Sequence, residues 1–152
     1  MKLEQKIPPL ILVVIFATCM FFTAKACIDF TLFYSFNLVA FLIFLFIGLL
    51  FILSGVVAFK KHKTTVNPVN TDNVSTLVNS GIYKYTRNPM YVGMLSVLIG
   101  YVIYLANPLN VIFIALFILY MNKYQISPEE EFLSKLFGSS YISYSQKVRR
   151  WL

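Results

Sequence analysis

Apolar positions in this chain come in long unbroken blocks rather than at a helical or strand period. Three blocks carry no charged residue: 7–24 between Lys6 and Lys25, 30–59 between Asp29 and Lys60, and 88–122 between Arg87 and Lys123. A hydrocarbon core about 30 Å thick takes about 20 helical residues, so each block is long enough to matter. The third, with 35 residues, would make about 52 Å of helix at about 1.5 Å per residue. Asn107-Pro108 sits just past its middle, and proline lacks an N–H, clashes with the preceding turn and biases its neighbour away from helix. The pattern therefore predicts four spans, at about 8–24, 37–59, 89–106 and 108–124; a single long tilted helix through 88–122 is the alternative.

Composition supports a bilayer protein. Of the 152 residues, 59% are hydrophobic and 12% charged, against roughly a quarter charged in a soluble domain. Lys2 and Lys6 ahead of an apolar stretch resemble a secretion signal, but Thr23-Ala24-Lys25-Ala26-Cys27 offers no small-x-small cleavage site, which predicts a retained helix. Cys19 and Cys27 are about 12 Å apart along a helix, too far for a disulfide. With a cytoplasmic N-terminus, 12 of the 13 basic residues fall inside and only Lys25 outside, so both termini are expected to be cytoplasmic. The net charge of +7 then reads as topology and attraction to anionic headgroups, not as a nucleic-acid footprint. An integral membrane protein of the bacterial inner membrane, a single domain over 1–152, is expected.

The polar chemistry is then confined to the loop 60–88 and the segment 125–152. The loop begins turn-rich, with Asn67-Pro68 and Thr71-Asp72-Asn73. It continues with Leu77, Val78, Ile82, Tyr83 and Tyr85, which suit the headgroup interface, and Gly81 permits a sharp turn. In the C-terminal segment Ser127, Pro128 and Glu130 form a capping-box pattern that predicts a helix start. Phe132, Leu133, Leu136 and Phe137 follow at helical spacing, and Gly138 is a stop signal. Tyr141, Tyr144, Val148 and Trp151, interleaved with Lys147, Arg149 and Arg150, predict an amphipathic helix lying on the membrane surface. His62, among lysines, reads as a solvated juxtamembrane residue, and no metal-ligand cluster is predicted.

The stretch from Ser80-Gly81-Ile82-Tyr83 through Arg87-Asn88-Pro89-Met90-Tyr91-Val92-Gly93 resembles the signature G-x-Y-x-x-x-R-[HN]-P-x-Y-x-G of the isoprenylcysteine carboxyl methyltransferases and related phospholipid methyltransferases. Glu129-Glu130, Leu133, Phe137-Gly138, Tyr141, Tyr144, Val148 and Arg150 are similar to the second half of that signature. The resemblance implies that S-adenosylmethionine is the cofactor. It implies that Ser75, Thr76, Leu77, Val78 and Tyr83 enclose it, that Asn88, Pro89, Met90 and Tyr91 close over it, and that Glu129 contacts its polar groups. The cofactor's chemistry agrees: an adenine suits an apolar slot, hydroxyls and an amine suit acceptors, and a sulfonium suits carboxylates and π faces. Soluble methyltransferases commonly hold it on a glycine-rich turn of a Rossmann-like sheet, whereas no two of the six glycines here are closer than seven residues.

Two departures bear on the acceptor. Asn88 stands where many members have histidine, keeping hydrogen bonding without a titratable ring. Gln125 aligns with a substrate-side arginine and offers no cationic fork to a carboxylate. Arg87 and Gln125 are the candidate substrate-side residues, with Arg87 a phosphate anchor or a positive-inside marker; Glu130 reads as a cap. The expected activity is methyl transfer to a lipophilic acceptor at the cytoplasmic face, by direct displacement and without a named base. A four-helix transporter is a rival, but all six acids fall outside the predicted spans, where coupling carboxylates would be expected. A non-catalytic scaffold is a second rival. Gly48 and Gly55 permit close helix packing within or between chains.

Overall fold

The computed structural model describes residues 7–26, 34–62 and 76–152. Ser75, expected at the cofactor, lies outside these, as does most of the first half of the 60–88 loop. All regular structure among the described residues is helical: α1 (Pro9–Ala26), α2 (Tyr34–Lys61), α3 (Pro89–Leu105), α4 (Val111–Met121), α5 (Ser127–Phe137) and α6 (Ser139–Lys147), with short turns between. Three helical stretches are long and apolar enough to cross a membrane: Pro9–Ala26, Phe36–Lys61 and Pro108–Phe137. Pro89–Leu105 is a shorter apolar helix. The blocks read from sequence thus become helices whose side chains face outward over most of α1, α2 and α4.

α2 and α3 form the closest pair. A Cβ on Gly93 would lie 2.5 Å from the Gly48 carbonyl oxygen, and one on Gly48 would lie 2.7 Å from that of Gly93. Glycine is required here because the two backbones touch, so Gly48 packs within the chain. Ser96 Oγ donates to the Phe44 carbonyl at 2.9 Å across the same interface. On the other side of α3, Leu12 and Met20 of α1 meet Leu98, Met94 and Tyr91, with Phe117, Met121 and Ile126 completing the buried core.

The Asn107-Pro108 corner divides the third block, as the pattern predicts. Ala106 ends α3 with φ 50° and ψ 28°, and Asn107 Oδ1 accepts the Leu109 N–H at 3.0 Å. The expected fourth span and separate tail helix are instead one helical run. Ser127 does not cap: its Oγ donates to the Asn122 carbonyl at 2.7 Å, and a π-helical turn over Asn122–Ile126 carries the chain from α4 into α5. The signals at Ser127 and Pro128 lose because the preceding turn already supplies backbone acceptors. Gly138, with φ 52°, does stop the helix, so the tail is two helices, α5 and α6.

Candidate functional site

One wall comes from the segment ahead of α3. Gly81 (φ 61°) opens a 3-10 turn, Gly81–Lys84, which turns Tyr83 inward until it is 6% exposed. Tyr83 packs edge-on against Phe59 at the end of α2, with ring centroids 5.4 Å apart, and burial pushes its hydroxyl pKa above the ordinary range. Val78 is buried too, whereas Tyr85 stays exposed. Val78 and Tyr83 thus point into the protein and not toward the interface expected for them. His62 is half-buried and within 2.7 Å of Ser80 Oγ, which ties the end of α2 to this segment; it is not the solvated residue the sequence suggested.

The opposite wall is α5 and α6. Tyr144 donates to the Tyr83 carbonyl at 2.7 Å. Arg87 Nη1 donates to Tyr141 Oη at 3.3 Å and lies 3.1 Å from Glu130 Oε1. Glu130 is therefore an ion-pair partner and not the expected cap. Tyr141 is buried and Tyr144 half-buried, so these two tyrosines of α6 turn inward, toward the other wall.

Between the walls lies a cavity of about 310 Å³, at the small end of the roughly 300–1,000 Å³ of ligand pockets. It is lined by Thr76, Leu77, Val78, Tyr83, Arg87, Asn88, Met90, Tyr91 and Glu129, all expected from sequence. Pro89 is buried beneath the corner and does not line it. Gln125 is also outside the lining: it is 1% exposed, and its Nε2 donates to the Ile7 carbonyl at 2.8 Å, holding the start of α1. Lining residues that sequence reasoning missed include Pro8, Pro9 and Leu10 of that same start, Phe59, and Met94.

Glu129 gives the cavity its charge. It lies six residues beyond Lys123, where the charge-free block ends, and so outside the membrane-spanning part of its helical run. Tyr91 donates to Glu129 Oε1 at 2.6 Å, and among the described residues no cation pairs with the carboxylate. Burial raises its pKa to about 7; the Tyr91 hydrogen bond lowers it in part, and the charge of Glu130 raises it further.

A phospholipid methyltransferase family model matches residues 36–140, from α2 into α6. The chain belongs to the phospholipid methyltransferase family. A probable protein-S-isoprenylcysteine O-methyltransferase of Oryza sativa subsp. indica is 30% identical to this family member over 114 residues, 70% of this chain and 60% of the rice protein. Protein-S-isoprenylcysteine O-methyltransferase A of Arabidopsis thaliana is 27% identical over 107 residues, again 70% of this chain and 54% of the plant protein. This family member thus spans little more than half the length of these plant relatives. An uncharacterized protein of Haemophilus influenzae is 43% identical over 63 residues, 41% of this chain and all of that protein. No solved structure gives a significant match. The matched stretch takes in the first cavity wall and α5 but ends at the start of α6, before Tyr141 and Tyr144, and includes neither α1 nor residues 148–152.

Proposed function

We propose that the protein is an integral membrane methyltransferase that uses S-adenosylmethionine to methylate a lipophilic acceptor. Support for the cofactor comes from the fit between its chemistry and the lining. Phe59, Val78, Tyr83 and Met94 offer an apolar, aromatic slot for a nucleobase. The carrying observation is Glu129, a half-buried carboxylate bonded to a tyrosine and, among the described residues, not paired with a cation. A carboxylate in that state is stabilised by a ligand bringing a sulfonium, an ammonium or hydroxyl donors. When bound, the cofactor supplies an electrophilic methyl carbon on a positively charged sulfur.

The chain's own residues act by binding, orienting and excluding water. Glu129 and Tyr91 engage the polar groups of the cofactor, while Asn88, Met90 and the Thr76–Val78 stretch enclose it. Arg87 is held on Glu130 and Tyr141, which fixes its position at the acceptor side. Pro8, Pro9, Leu10, Phe132 and Leu133 form the apolar side on which a lipid acceptor would rest. Displacement at a methyl carbon asks for alignment and a dry site more than for a strong acid or base, and positioning alone offsets several kcal/mol. The described lining, which pairs an apolar slot with the Glu129 carboxylate, suits that demand.

The proposed topology has four crossings, among them α3 with 17 residues, and both termini and the cavity on the cytoplasmic side, following the basic-residue bias. Incubating detergent-purified protein with radiolabelled S-adenosylmethionine and bacterial membrane lipid extract, followed by chromatography, should give a labelled lipid. No labelled product in any lipid class, together with no binding of S-adenosylhomocysteine, would overturn the reading.

A further inference from the structure

Residues 148–152 form an extended strap behind the cavity. Val148 leaves α6 with φ −118° and ψ 132°. The Arg149 carbonyl then accepts the Arg87 N–H at 3.0 Å. The Arg150 carbonyl accepts from Asn88 Nδ2 at 2.9 Å and from the buried Thr86 Oγ1 at 3.4 Å. Trp151 Nε1 donates to Asn122 Oδ1 at 3.0 Å, and its ring packs on the core. The strap therefore joins the Thr86–Asn88 corner to the helical run that carries Glu129.

The Arg150 side chain adds a charged fork to these backbone bonds. Its Nε and Nη2 reach the two oxygens of Glu130 at 3.1 Å and 2.5 Å, while Arg87 holds Glu130 Oε1. Glu130 lines the cavity beside Glu129, and Arg150 does not. Adjacent carboxylates repel, and a charge-assisted fork both neutralises one of them and fixes its direction. Without Arg150, Glu130 keeps, among the described residues, only its ion pair to Arg87 and is able to turn toward Glu129.

We propose that Arg150 is a positioning residue for the cofactor site: through its fork on Glu130 it holds that carboxylate and Arg87 in the cavity wall. The proposal rests on the methyltransferase reading. Arg150→Ala keeps the strap carbonyls, so the side chain is tested by itself.

The experiment is a calorimetric cycle with S-adenosylhomocysteine on wild type, Arg150→Ala, Glu130→Gln and the double variant, with melting curves alongside. Each single change should weaken binding about tenfold or more, the scale of a charge-assisted bond. The double variant should bind no worse than the weaker single one, because both changes break the same contact. Arg150→Lys, with the charge but not the fork, should fall between wild type and Arg150→Ala, and serves if the alanine variant does not fold. Wild-type affinity in Arg150→Ala or in Arg150→Lys, or fully additive losses in the double variant, would overturn the positioning role. Absence of binding by the wild type would instead overturn the methyltransferase reading and the proposal with it.

Discussion

Because Glu129 ionises near pH 7, binding of a cationic or hydroxyl-bearing cofactor should depend on pH across the neutral range. The sign follows from the form that binds: the carboxylate attracts such a ligand and the protonated acid does not, so affinity is present above pH 7 and lost as pH falls through it. With a pKa of about 7, the ionised fraction drops from about nine-tenths at pH 8 to about one-tenth at pH 6. The expected loss is about tenfold, or about 1.4 kcal/mol. Titration calorimetry with S-adenosylhomocysteine at pH 6, 7 and 8 measures it, and Glu129→Gln, which should bind weakly at every pH, subtracts any titration of the ligand itself. Tyr91→Phe removes the 2.6 Å hydrogen bond that favours the ionised form, so it should move the midpoint upward and weaken binding most at neutral pH. A wild-type profile as flat as that of Glu129→Gln, or a midpoint that falls in Tyr91→Phe, would refute the reasoning.

Two further substitutions probe the scaffold. Gly93→Ala places a Cβ 2.5 Å from the Gly48 carbonyl oxygen, which only a backbone shift relieves; overpacking of this kind costs about 1–3 kcal/mol, and a lower melting temperature in detergent should show it. Ala106→Gly removes the penalty of a side chain at φ 50°, about 1 kcal/mol, and should raise the melting temperature by a few degrees.

The helices were the most legible part of the sequence because their signal is length and hydropathy, which need no knowledge of partners. Asn107-Pro108 marked its corner for local reasons, and Gly81 and Gly138 marked theirs through the positive φ each adopts. The signals that misled were also local. Ser127-Pro128-Glu130 is a helix start only where no helix already arrives, and the π-helical turn brings one. Tyr141 and Tyr144 lie on an apolar face, and periodicity cannot distinguish a face turned to lipid from one turned to a cavity. What sequence could not show was the pairing of distant groups. Gln125 reaches Ile7 across 118 positions, and Arg150 reaches Glu130 across 20, with nothing local to announce either contact. Lining residues such as Thr76, Tyr83, Tyr91 and Glu129 came through the motif match, whereas Pro8–Leu10, Phe59 and Met94 did not; the Gln125 bond to Ile7 holds the start of α1 where Pro8–Leu10 meet the cavity.

The unbroken run from Pro108 to Phe137 has a mechanical consequence. In the proposed topology its start lies at the far boundary of the bilayer and Glu129 sits 21 residues further along, so that part of the run would act as a lever about 32 Å long at about 1.5 Å per residue. A thinner or thicker membrane that tilts the lever swings the carboxylate relative to Tyr91, which is mounted on a different helix. In that topology lipid composition would enter the geometry of a polar site through the backbone, with no lipid needing to touch it.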